Sequence, residues 1–374
     1  MIDGVAFGLE IEIIVIPSGE STGAPLPMTE QQLRDFLIEK DKTYSASHMQ
    51  TKTEENIRKF AWKSIEKEES RRIAKWMEAK YAEYAKDKPD IAGLRVSWDE
   101  TKKKDRTFDK WQITTPCHTE TFNPKANAVS FLADRLYLDG LEIISPVMKT
   151  DFTNDGYFHV KEQLESFYGF LTECCHFALE SNANCSTHIH VSCKEAQKWP
   201  PEYARRVAVA AYCWQPVVDA MLTEERRQSP TTAELVMLLN PDDRYWGWNF
   251  NNLLLMGQSE SYEESKIGTV EFRRPPGSPT LAAALKWLHF TTRFVWAATE
   301  RGSKDYFRSL KGKPTKSELK DFMKIDETLL PQAVIQAGNA GFGIVVPVPV
   351  QGQQLEARAA VAENIEEAVE AGAL

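Results

Sequence analysis

The sequence predicts an α+β protein: short strands that carry ionisable side chains on one face, joined and backed by amphipathic helices. Three observations lead there. Residues 5–16, Val-Ala-Phe-Gly-Leu-Glu-Ile-Glu-Ile-Ile-Val-Ile, are apolar and β-branched and stop at Pro17, as a buried strand does. Three further short runs, around Glu142, around His188 and His190, and around Glu271, repeat that mixture. Apolar residues recur at helical spacing over 52–88, 157–180, 201–226 and 280–301.

The chain has 374 residues, of which 42% are hydrophobic and 26% charged, enough for one large or two ordinary domains around a sizeable core. A net charge of −9 argues against a general nucleic-acid binder. No apolar run approaches the length of a membrane span. Met1-Ile2-Asp3-Gly4 leads into a strand with no basic stretch, so no secretory leader is expected. The six cysteines lack C-x-x-C or disulfide-like spacing, and the expected compartment is a reducing one, the cytosol.

Taken in order, the first strand places Phe7, Leu9, Ile11 and Ile13 on one face and Gly8, Glu10, Glu12 and Ile14 on the other. A Pro/Gly/Ser linker follows, then a short helix with Thr29 and Gln32 as its capping box. Residues 52–88 form a charged amphipathic helix, or two, read as packed on the core or, alternatively, as a mobile cover. Arg95 to Thr115 reads as a hairpin, 125–138 as helical, and 141–146 as a strand stopped by Pro146. Tyr157 to Glu180 reads as a helix, with adjacent Cys174 and Cys175 as packing residues. On the strand 185–192, His188, His190 and Ser192 share a face. Pro201 to Arg226 is a helix kinked near Pro216, and 244–255 mixes aromatic residues with amides. The strand at 268–273 sets Thr269, Glu271 and Arg273 together. Helices at 280–301 and 315–324 precede an Ala-rich tail. The expected units are 1–39, a charged insertion 40–110, a main catalytic part 111–305, and a peripheral helix and tail 306–374.

Each of these ionisable strands is ordinary alone. Glutamates on an edge strand can face water, and an E-x-R pair can be a cross-strand salt bridge. If they share one sheet, a single face gathers Glu10, Glu12, Glu142, His188, His190, Glu271 and Arg273. So many carboxylates would raise one another's pKa values unless cations offset them. A donor set dominated by carboxylate oxygen suits Mg²⁺ or Mn²⁺, which commonly serve phosphate chemistry. No Walker A loop or G-x-G-x-x-G is present, so a nucleotide would be held by metals, Arg and His on a sheet.

The ordered set Phe-Gly-Leu-Glu-Ile-Glu (7–12), Leu-Glu-Ile-Ile-Ser-Pro (141–146), Thr-His-Ile-His-Val-Ser (187–192) and Thr-Val-Glu-Phe-Arg (269–273) resembles the amidoligase family, in its fungal form. These are carboxylate–amine ligases. The resemblance covers 4 to about 300, apart from the charged 40–110 region. Trp111 is kept on its strand, but no Asp-x-Ser follows it.

The resemblance implies a glutamine-synthetase-like curved antiparallel sheet with helices packed on its outer face. It implies ATP and Mg²⁺ (or Mn²⁺) as cofactors, and small carboxylate and amine substrates joined through an acyl phosphate. Glu10, Glu12, Glu142, His188 and Glu271 match metal ligands. His190 faces nucleotide phosphate or substrate, and Arg273 holds the transferred phosphoryl group. Arg244, Asn249 and Asn251 lie in a polar cofactor- or substrate-contacting segment. A guanidino-kinase-like phosphotransferase and a non-catalytic nucleotide- or partner-binding relative are the alternatives.

Overall fold

The structure is a computed structural model. It describes residues 4–17, 28–40, 54–96, 108–114, 139–152, 154–181, 185–193, 199–227, 247–250, 268–310, 314–326 and 330–331. Its strands are β1 (Val5–Pro17), β2 (Leu94–Val96), β3 (Trp111–Thr114), β4 (Asp139–Ile144), β5 (Met148–Thr150), β6 (Phe177–Glu180), β7 (Thr187–Cys193), β8 (Trp248–Asn249) and β9 (Val270–Phe272). The α-helices are α1 (Glu30–Lys40), α2 (Glu54–Tyr84), α3 (Asn154–Gly169), α4 (Pro201–Met221), α5 (Leu281–Arg301), α6 (Lys304–Ser309) and α7 (Lys316–Met323).

The nine strands among the described residues join one sheet in the order β2-β3-β4-β1-β7-β9-β8, with β5 and β6 also paired to β1. β1 is its axis. One edge of β1 pairs with β4 and β5, and the other with β7 and β6. Every pairing is antiparallel except β2 with β3. The α+β class with a mostly antiparallel sheet follows directly.

The alternation expected in β1 decides which face carries the helices. Phe7, Leu9, Ile11 and Ile13 are buried, and the register places Leu141, Ile143, Ile189, Val191, Val270 and Phe272 beside them on one face. Ile73, Met77 and Tyr81 of α2, Leu164 and Phe167 of α3, and Phe290 and Phe294 of α5 pack in the same core. Each such side chain, fully buried, contributes about 1.5–3 kcal/mol relative to exposure. Trp111 stacks on Phe167 at 4.1 Å, and Trp248 stacks on Phe272 at 4.4 Å and on Phe294 at 4.9 Å. The second half of the charged helix α2 is therefore a packed layer of the core.

Several local expectations are met. Thr29 and Gln32 bond reciprocally at the start of α1, and Thr315 and Glu318 do the same at α7. Pro216 lies inside α4 as expected, but the helix stops at Met221 instead of running to Arg226: Leu222 is extended and a separate 3₁₀ turn covers Glu224–Arg226.

Two further readings are corrected. Residues 94–96 and 111–114 pair in parallel, whereas the two strands of a hairpin would pair antiparallel. The helix from 154 ends in a π turn at Phe170–Cys174, and Phe177–Glu180 is a strand on the end of β1. Cys175 is buried, as expected of a packing residue. The helix expected at 125–138 and the tail beyond 331 lie outside the described residues. Among the described residues no helix is long and apolar enough to cross a membrane.

Candidate metal centre

The opposite face of the sheet holds the ionisable residues, and strand register assembles them in rows. One row runs Gln112–Ile144–Glu10–His188 across β3, β4, β1 and β7. The next runs Gly8–His190–Glu271–Asn249 across β1, β7, β9 and β8. On the other side of Glu10, Thr114, Glu142 and Glu12 stand in line on β3, β4 and β1. Period-two alternation within each strand makes both histidines of β7 face this way.

Four side chains from three strands meet. The Glu10 carboxylate sits between the imidazoles, with Oε2 3.2 Å from His188 Nδ1 and Oε1 3.2 Å from His190 Nε2. Glu271 Oε1 lies 3.6 Å from His188 Nδ1 and 3.7 Å from His190 Nε2. Arg273 Nη1 donates to that same Oε1. Asn249 Nδ2 donates to the other oxygen, Oε2, at 2.8 Å. His190 Nδ1 is 3.2 Å from Thr269 Oγ1, which fixes the ring. Its Nε2 is buried and, although within ion-pair distance of both carboxylates, is aligned for a hydrogen bond with neither.

The charges of His190 and of the carboxylates beside it are coupled. Burial alone would lower the His190 pKa, but the Glu10 and Glu271 carboxylates outweigh it and raise it to about 9. Burial alone would raise Glu10, but His190 and then His188 hold it well below the usual carboxylate range. Glu271 is 3% exposed, while Glu10 is 26% exposed and opens the cluster to solvent. Gly8, opposite His190, leaves room beside the ring, since an added Cβ would meet only Ser145 Oγ, 3.9 Å away.

A scan against protein-family models, a search of curated proteins and a search of solved structures each find no match. The chemistry of the centre therefore has to be read from its own donors. One ligand atom each from Glu10, His190 and Glu271 lies within 4.8 Å of the others. Neighbouring ligands on metal bonds of about 2.1 Å stand about 3.0–3.4 Å apart, and His190 Nε2 is 3.2 Å from Glu10 Oε1 and 3.7 Å from Glu271 Oε1. Once the ion displaces its proton, the buried His190 Nε2, aimed between two carboxylates, is the kind of donor a divalent cation needs. The residues present fit such an ion.

The other expected site residues divide. His188 belongs to the cluster. Glu12 shares its face but is 5% exposed, and its Oε2 accepts from Ser186 N at 2.8 Å and Ser186 Oγ at 2.6 Å. Glu142 is the register partner of Glu12 and is half-buried. Asn249 orients Glu271. Arg244 and Asn251 lie outside the described residues.

Two supports were not anticipated. Ser186 precedes β7 by one residue and reaches Glu12 across 174 positions, a contact with no local signal. Arg274, buried, donates to Arg226 O and pairs with Asp219 of α4, which fixes the end of β9 next to Glu271 and Arg273.

Proposed function

We propose that the protein is an ATP-dependent carboxylate–amine ligase on a glutamine-synthetase-like sheet, using Mg²⁺ or Mn²⁺. The observation that supports this best is the meeting of Glu10, His188, His190 and Glu271 from three strands, with Arg273 on the oxygen that both imidazoles face. In this reading Glu10, His190 and Glu271 hold an ion and His188 stands beside it. Glu12 and Glu142 are further acids on the same face. The bound ion offsets the negative charge that builds when nucleotide phosphates approach a carboxylate.

The protein's own groups have separate tasks. Asn249 keeps Glu271 turned toward the ion, and Thr269 orients His190. Arg273 neutralises the phosphoryl group in transit. Arg244 and Asn251 contact nucleotide or substrate. The substrate carboxylate attacks the γ-phosphorus of ATP, and ADP leaves. The amine then adds to the acyl phosphate carbon, phosphate leaves and the nitrogen loses a proton, giving an amide. The substrates are small and amino-acid-like or peptidic. The setting in this reading is the cytosol.

The test is ADP release measured over a panel of carboxylates and amines. Release requires Mg²⁺, a carboxylate and an amine together, and mass spectrometry finds an amide. Glu10→Gln and Glu271→Gln each lower turnover by about a hundredfold or more while the fold persists. Near-normal turnover in either variant, or a phosphoramidate product, contradicts the reading.

A further inference from the structure

We propose that Arg273 is an internal counter-cation that competes with the divalent ion for Glu271, so that the centre binds metal weakly while the guanidinium is in place. The inference rests on the cluster being a metal centre, as proposed above.

Glu271 has two oxygens and, at 3% exposure, little access to water. Oε2 accepts from Asn249. Oε1 is the one that faces both imidazoles, at 3.6 and 3.7 Å, and it is also the one that Arg273 Nη1 occupies. The position is set by the backbone. Glu271 and Arg273 are two residues apart and share a face, and Arg273 N donates to Gly247 O at 2.9 Å, which anchors the arginine beside β8.

An ion drawn to Glu10, His190 and Glu271 must therefore share Oε1 with a guanidinium or displace it. Two cations a few ångströms apart in a partly buried pocket repel strongly. At 20% side-chain exposure Arg273 has an open side to turn toward, so displacement is available to it. Once displaced, the guanidinium is a free fork for an anion such as a phosphate group. Metal and anion then favour each other's binding.

The test is a Mn²⁺ titration without nucleotide, followed by the electron paramagnetic resonance signal of the free ion. Arg273→Gln and Arg273→Met, the latter keeping an unbranched apolar side chain at this position, both tighten the dissociation constant by about tenfold or more. Arg273→Lys, which keeps the charge, stays within about threefold of the wild type. An unchanged or weaker Mn²⁺ affinity in the folded Gln or Met variant overturns the proposal. Glu271→Gln in the same titration separates the two claims: wild-type affinity there removes the metal centre itself, whatever Arg273 does.

Discussion

Glu12 offers a sharp test because two roles for it predict opposite outcomes. The resemblance to amidoligases makes it a metal ligand, whereas in the structure its Oε2 is taken up by Ser186. That oxygen accepts from Ser186 N at 2.8 Å and from Ser186 Oγ at 2.6 Å, and Glu12 N donates to Ser186 O at 2.8 Å. Hydrogen bonds to a charged acceptor contribute about 1.5–3 kcal/mol net. Glu12→Gln keeps an oxygen and loses the charge, so about 1–2 kcal/mol of stability goes. Ser186→Ala removes one donor for about 1 kcal/mol, and the double variant shows a coupling of about 1 kcal/mol. In a chain this long each kcal/mol lowers the melting temperature by about 2 °C. Denaturant unfolding and a Mn²⁺ titration are run on the same samples. The expected result is lost stability with a Mn²⁺ dissociation constant within about threefold of the wild type. Unchanged stability together with lost Mn²⁺ binding would refute this reasoning and make Glu12 a ligand.

Other consequences are independent of the metal. A Cβ at Gly277 would lie 2.7 Å from Cys185 Cβ and 2.8 Å from both Glu12 O and Ser181 Cβ, none of which can rotate away. Gly277→Ala should therefore cost about 2 kcal/mol or more in denaturant unfolding, and wild-type stability would contradict the packing described. Burial, and then the nearby Arg293 charge, lower the His289 pKa to about 4. The unfolded chain then binds more protons between about 4 and about 6.5, so this stability is present above that range and is lost as pH falls through it. Comparing unfolding at about pH 7.5 and about pH 4.5, His289→Phe should lose about 2 kcal/mol less than the wild type. An identical pH dependence in the two proteins would refute the assignment.

The parts of this fold that were legible in the sequence are those with a strong local period. β1 declares its two faces because Phe7, Leu9, Ile11 and Ile13 alternate with Gly8, Glu10 and Glu12. The same alternation in β7 and β9 placed His188 with His190, and Thr269 with Glu271 and Arg273, so most of the centre could be nominated before its strands were known to pair. Thr29 with Gln32 and Thr315 with Glu318 announced their helix starts.

Direction and partnership were not legible. β2 is three residues long, and the Lys-rich stretch after it resembles a turn, so nothing local marks parallel pairing with β3. Phe177 continues the apolar spacing of α3, and the π turn before it has no sequence signature, which concealed β6. Asn249 stood out among aromatic residues, but only the pairing of β8 with β9 gives it Glu271 as a partner. The Glu12–Ser186 contact depends on tertiary structure alone.

The central claim is that the Glu10 and Glu271 carboxylates and the His190 imidazole, from β1, β9 and β7, share one divalent cation. Pulsed electron paramagnetic resonance of Mn²⁺ bound to the protein addresses it most directly, because a histidine ligand imprints nitrogen modulation on the echo. The account predicts that modulation in the wild type and its loss or marked reduction in His190→Gln. Bound Mn²⁺ without nitrogen modulation in the wild type, or with the same modulation in His190→Gln, would contradict it.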